Sequence, residues 1–119
     1  MGVDLKLLPF YDSQVEFSHC ILQLERRREL WPIIEKIERE QGMPVSKNFT
    51  SFCGKDSKGN TCYGKTTTTP YGIKINWVYS KYLKTLSQQK EVKNNYPNKA
   101  VWAYLLSCPN DLKIALYWH

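Results

Sequence analysis

The stretch GNTCYGKT, residues 59–66, fits the phosphate-binding pattern G-x-x-x-x-G-K-[ST] at every position. How it is read decides the fold. A working phosphate loop follows a buried strand and opens a helix, so that backbone N–H groups and the helix N-terminus cradle the phosphates. The flanking residues here point elsewhere. CGKDSKGNTC, residues 53–62, reads as a hairpin with Asp56-Ser57-Lys58-Gly59 as a type I turn, Asp suiting its first position and Gly its last. Lys65 is followed by four Thr and Pro70, which oppose a helix and favour extended chain. No apolar run ending in Asp offers a magnesium partner. The stretch therefore predicts strands near residues 49–54 and 61–67, with Gly64 and Lys65 as strand-end and surface residues and no bound nucleotide.

Outward from the hairpin, both ends of the chain read as strands. GVDLKLL alternates Val3, Leu5 and Leu7 against Asp4 and Lys6, a half-buried strand expected to end near Pro9. LKIALYW alternates Leu112, Ile114 and Leu116 against Lys113 and Ala115. Val15, Phe17, Ile21, Leu22 and Leu24 make a less regular extended segment, interrupted by Ser18, His19 and Gln23. The clearest helix is RRRELWPIIEKIEREQGMP. Leu30, Ile33, Ile34 and Ile37 share one face, and Pro32 places the regular start near residues 29–31. Glu35–Arg39 and Lys36–Glu40 fall at i,i+4 on the wet side, and Gly42 with Pro44 suits the stop. WVYSKYLKTLSQ reads as a short helix through Val78, Tyr82 and Leu86. A last helix opens at Pro97, buries Ala100, Val101, Tyr104, Leu105 and Cys108, and stops at Pro109. The expected fold is α+β: one domain over residues 1–119, a small, mainly antiparallel sheet with about three helices.

The 119 residues carry a net charge of +6, unevenly spread. Residues 1–45 hold six basic and eight acidic side chains, and residues 46–119 hold eleven Lys and three acids, so the halves carry −2 and +8. The second half has no Arg, the better bidentate reader of phosphates and bases. The start MGVDLKLLPF lacks a signal-peptide pattern, and the longest apolar run, AVWAYLL, is too short to span a bilayer, so a cytoplasmic protein away from membranes is expected.

Cys20, Cys53, Cys62 and Cys108 contain no close pair, and His19 and His119 are the only histidines, so no metal or other cofactor is expected. In the hairpin register Cys53 and Cys62 are expected to face each other, as reduced neighbours in a reducing compartment. His19 and Cys20, adjacent in a strand, point to opposite faces and form no catalytic dyad. Glu35, Glu38 and Glu40 read as a solvated helix face balanced by Lys36 and Arg39. No catalytic residue is assigned. Two basic clusters are candidate contacts for a partner. Arg26, Arg27 and Arg28 suit phosphates or acidic side chains, and also the plainer role of a helix approach paired with Glu25 and Glu29. Tyr79, Lys81, Tyr82, Lys84, Lys90 and Lys93, with Tyr96 and Lys99, interleave rings and cations as a single-stranded nucleic acid requires. The same residues also fit a solvated basic face with its Tyr in the core.

Three stretches, MGVDLKLLPF, YGKTTTTPYG and NKAVWAYLLSCPNDLKIALYWH, resemble those of a group of small phage- and prophage-encoded proteins. Members of that group begin with a similar G-[VI]-D-L-K-L-L-P strand and end with W-A-Y-L, a proline and an L-Y-W-H tail. The resemblance implies a phage origin and action inside a bacterial host, and it carries no functional residues. Together with the charge asymmetry and the abundance of Tyr and Trp, it favours binding of a host or defence-system protein, as an inhibitor of a CRISPR or other immune complex would. The alternative is a nucleic-acid-binding accessory protein.

Overall fold

LKIALYW supplies the central strand of the molecule. The structure, a computed structural model, describes residues 4–10, 22–24, 29–47, 49–55, 57–59, 61–65, 67–69, 71–88 and 98–119. In chain order these form β1 (Leu5–Phe10), β2 (Leu22–Leu24), α1 (Leu30–Gln41), β3 (Met43–Pro44), β4 (Thr50–Lys55), β5 (Thr61–Lys65), β6 (Asn76–Tyr79) and α2 (Ser80–Lys84). A 3-10 turn (Thr85–Gln88), α3 (Lys99–Ser107) and β7 (Lys113–Trp118) follow. The main sheet runs β2-β1-β7-β6-β3, antiparallel at every pairing, and β4 and β5 form a separate two-stranded sheet. The α+β expectation stands.

β7 is buried on both faces, which its alternating pattern does not announce. Ile114, Leu116 and Trp118 meet Leu5 and Leu7 of β1, Leu30 and Ile34 of α1 and Leu105 of α3 in the larger core. Ala115 and Tyr117 face the other way, into a second core with Leu8, Phe10, Val45, Phe49 and Ile75. Phe49 stacks edge-on against Phe10, their ring centres 5.2 Å apart. Small Ala115 therefore marks a tightly packed second layer, not solvent.

β1 ends near Pro9, as expected, one residue beyond it at Phe10, so the proline lies within the strand. Asp4 and His119 exchange two backbone hydrogen bonds, of 2.8 and 2.9 Å. By the antiparallel alternation, Lys6, Leu8 and Phe10 then aim their N–H groups at β7, and Leu5, Leu7 and position 9 face the β2 side. Among the described residues pairing with β2 runs from Leu5 to Leu7, and the missing N–H of Pro9 falls on that side, so the bonds to β7 lose nothing by it.

α1 begins at Leu30, and Pro32 lies in its first turn, where N–H groups have no intrahelical partner. Leu30 and Ile34 are buried, with Ile33 and Ile37 packed beside them. Gly42 does end the helix, but not by a left-handed backbone, since its φ is −72°. A Cβ there would stand 2.3 Å from the carbonyl oxygen of Glu38, so the position requires glycine for close approach.

Three further expectations are corrected. Residues 77–79 are strand, not helix, because Trp77, Val78 and Tyr79 pair with Ala115, Ile114 and Lys113; only residues 80–84 are α-helical. In α3 Ala100 is exposed, and Trp102 is buried instead. In the hairpin the register shifts between Phe52 and Gly54, so Cys62 pairs with Gly54 and Cys53 falls at the irregularity, not in a regular ladder pair with Cys62. The two antiparallel strands of the hairpin are as read and Gly59 has φ +83°, while Asp56, the first residue of the expected turn, lies outside the described residues. The hairpin joins two antiparallel strands and opens no helix, so GNTCYGKT lacks the strand–loop–helix frame of a phosphate loop. Residues 11–21, with His19 and Cys20, and Pro97 lie outside the described residues.

Candidate functional site

The antiparallel β6–β7 pairing creates the most distinctive surface. Asn76 and Val78 bond to β7, so Trp77–Ala115 and Tyr79–Lys113 are the closer, non-bonded pairs, whose side chains stand on the same face. The Lys113 ammonium accordingly lies over the Trp77 ring, 4.8 Å from its centre. Trp77 meets Tyr79 edge to face, at 5.0 Å and 78°. The chain then enters α2, where the Lys81 ammonium sits 5.7 Å from the Tyr79 ring centre and 5.1 Å from that of Tyr82. Lys113, Trp77, Tyr79, Lys81 and Tyr82 thus form one continuous run of cations and rings. Trp77 rests on the second core and Tyr82 on the first, so the rings are anchored at their backs. Each cation–ring contact contributes about 0.5–1 kcal/mol at such partly exposed positions.

A set of polar ties fixes α2 against the 108–112 turn. Ser80, fully buried, donates its hydroxyl to the Pro109 carbonyl, and its backbone N–H reaches the Leu112 carbonyl at 2.8 Å. The Lys84 ammonium donates to the Cys108 carbonyl and, at 2.8 Å, to Asn110 Oδ1. Lys84 therefore closes the C-terminal end of α3, where a cation is favoured. The Cys108 thiol is turned inward, 3.2 Å from the Tyr104 carbonyl.

The structure thus unites Tyr79, Lys81 and Tyr82 of the candidate contacts, gives Lys84 a structural task, and adds Trp77 and Lys113, which the sequence reading missed. Their signal was cross-strand pairing, invisible until β6 is known to be a strand beside β7. Arg26, Arg27, Arg28, Lys90 and Lys93 lie outside the described residues.

A second feature lies between α1 and the β3 edge. A cleft of about 450 Å³ is lined by Glu35, Glu38, Arg39, Gly42, Ile73, Asn76 and Trp118. Glu38 is not a member of a solvated face. Its carboxylate accepts the Trp118 indole N–H at 2.7 Å and the Asn76 amide at 3.0 Å, clamping α1 to β7 and β6. Trp31 stacks edge-on against the same Trp118, at 5.6 Å. Glu35 and Glu40 are exposed, as expected. With both oxygens engaged in the helix–sheet contact, Glu38 is built to hold layers together.

His119 is held below its ordinary pKa, first by burial, then by the Lys6 ammonium, against an opposing pull from Asp4. Its Nε2 is buried with no hydrogen-bond partner. Among the described residues no three His, Cys, Asp or Glu side chains converge as a metal site requires, and no helix is long and apolar enough to cross a membrane. No family model matches the chain, and neither a curated protein nor a solved structure matches it.

Proposed function

We propose that this is a phage-encoded accessory protein that acts by binding a host or defence-system protein, with the Lys113–Trp77–Tyr79–Lys81–Tyr82 run as its contact surface. The phage setting rests on the resemblance at the two ends of the sequence. The binding role is carried by the run itself. Rings seated on a rigid sheet and helix lose little side-chain entropy on contact, and aromatic residues dominate the energetics of interfaces. Two ammonium groups beside them add electrostatic steering. An inhibitor of an immune complex would use such a surface to occupy an acidic face of its target.

The test is affinity capture with the tagged protein from nuclease-treated bacterial lysate, read by mass spectrometry, beside the Lys81→Gln/Lys113→Gln variant. A stoichiometric protein held by the parent and lost by the variant supports the reading. Capture of no protein, with nucleic acid recovered once nuclease is omitted, shifts the function to nucleic-acid binding. That second reading draws on the same interleaving of rings and lysines.

A further inference from the structure

Resting on this contact surface, we infer that its occupant is a carboxylate-rich segment of a protein, and that the surface discriminates against single-stranded nucleic acid. The reason is the disposition of the rings. A single strand binds by laying successive bases flat on open aromatic faces. Here Trp77 and Tyr79 stand at 78° to each other, so they offer no shared shelf for neighbouring bases. The faces are also occupied: Lys113 covers Trp77, and Lys81 lies against both Tyr79 and Tyr82. A base would have to displace an ammonium to stack.

A carboxylate meets the opposite situation. A cation over a ring is attracted through its charge, and its N–H donors stay available to an acceptor from the solvent side. Lys81 and Lys113 are thus pre-positioned donors whose stems are already ordered, which lowers the entropy lost on binding. The nearest acid in the sequence is Asp111, exposed in the turn before β7, and it leaves the two lysines in excess. The Ser80 and Lys84 ties hold α2 against the 108–112 turn, and so hold Lys81 in place relative to Lys113.

The experiment is a fluorescence-anisotropy titration with two labelled probes of equal charge, a short oligoglutamate peptide and an oligothymidylate, at low and physiological salt. The peptide is expected to bind more tightly than the oligothymidylate. Lys81→Gln/Lys113→Gln, at positions outside both cores, is expected to stay folded, with its thermal midpoint lowered by several degrees through the lost cation–ring contacts, and to lose peptide affinity by about tenfold or more. Tighter binding of the oligothymidylate, with quenching of tryptophan emission that Trp77→Phe abolishes, overturns the inference and leaves the surface as a nucleic-acid site. Binding of neither probe, or peptide binding indifferent to both lysines, also overturns it. If lysate capture still depends on Lys81 and Lys113 in that case, the proposed function survives and only the carboxylate assignment falls.

Discussion

Replacing Glu38 by alanine removes a clamp that joins three elements. The Trp118 indole N–H loses a 2.7 Å bond and the Asn76 amide a 3.0 Å bond. Hydrogen bonds to charged groups contribute about 1.5–3 kcal/mol each. Glu38 is half-buried, so solvent competes and the lower end applies. Trp118 is only 5% exposed, so water replaces its lost partner poorly. The sum is about 3 kcal/mol, a large part of the roughly 5–15 kcal/mol available to a domain. Glu38→Gln keeps one oxygen for Trp118 and requires the Asn76 amide to turn over. It loses mainly charge assistance and costs about 1 kcal/mol. Trp118→Phe keeps a ring against Trp31 and deletes the N–H. The assay is urea unfolding followed by circular dichroism on the two single variants and the Glu38→Ala/Trp118→Phe pair. The coupling energy should be about 1–2 kcal/mol. Additive effects, or a Glu38→Ala protein within about 0.5 kcal/mol of the parent, would refute the clamp.

Three further outcomes follow from the same geometry. Gly42→Ala, which elsewhere would gain about 0.4–1 kcal/mol through the unfolded chain, should instead lose about 1–3 kcal/mol in urea unfolding, because the added Cβ meets the Glu38 carbonyl at 2.3 Å. Lys84→Met should lower stability by about 1 kcal/mol, read as a fall of several degrees in the thermal midpoint, through the lost ties to Cys108 and Asn110. For His119 the folded chain resists a proton that the unfolded chain accepts near the ordinary value of 6.5. Stability is therefore greatest above that pH and falls as pH drops below it, and His119→Gln should flatten this part of the pH–stability curve.

Local pattern made much of the fold legible. Period-2 alternation marked β1 and β7, and 3.6-residue spacing with Pro32 near the start and Gly42 at the end bounded α1. The opening hairpin followed from turn chemistry at Gly59. The failures share one cause: what a residue faces depends on partners distant in sequence. Trp77–Tyr79 extends a helical-looking stretch but is drawn into the sheet by β7. Ala115 reads as the outward side of a strand until the second core is seen to cover it. Glu38 reads as solvated until Trp118, eighty positions away, is found at its carboxylate. The contact surface was half legible for the same reason. Tyr79, Lys81 and Tyr82 adjoin in sequence, whereas Lys113 joins them only through antiparallel register.

The contact surface itself is tested most directly by the indole N–H signals of the four tryptophans, Trp31, Trp77, Trp102 and Trp118, in a nitrogen-15 correlation spectrum assigned by Trp→Phe variants. On titration with the oligoglutamate peptide the Trp77 signal should move with saturating dependence. The Trp102 and Trp118 signals, from rings buried in the larger core, should stay in place. Movement of Trp31 or Trp118 with a stationary Trp77 would put the contact at α1 and contradict the account.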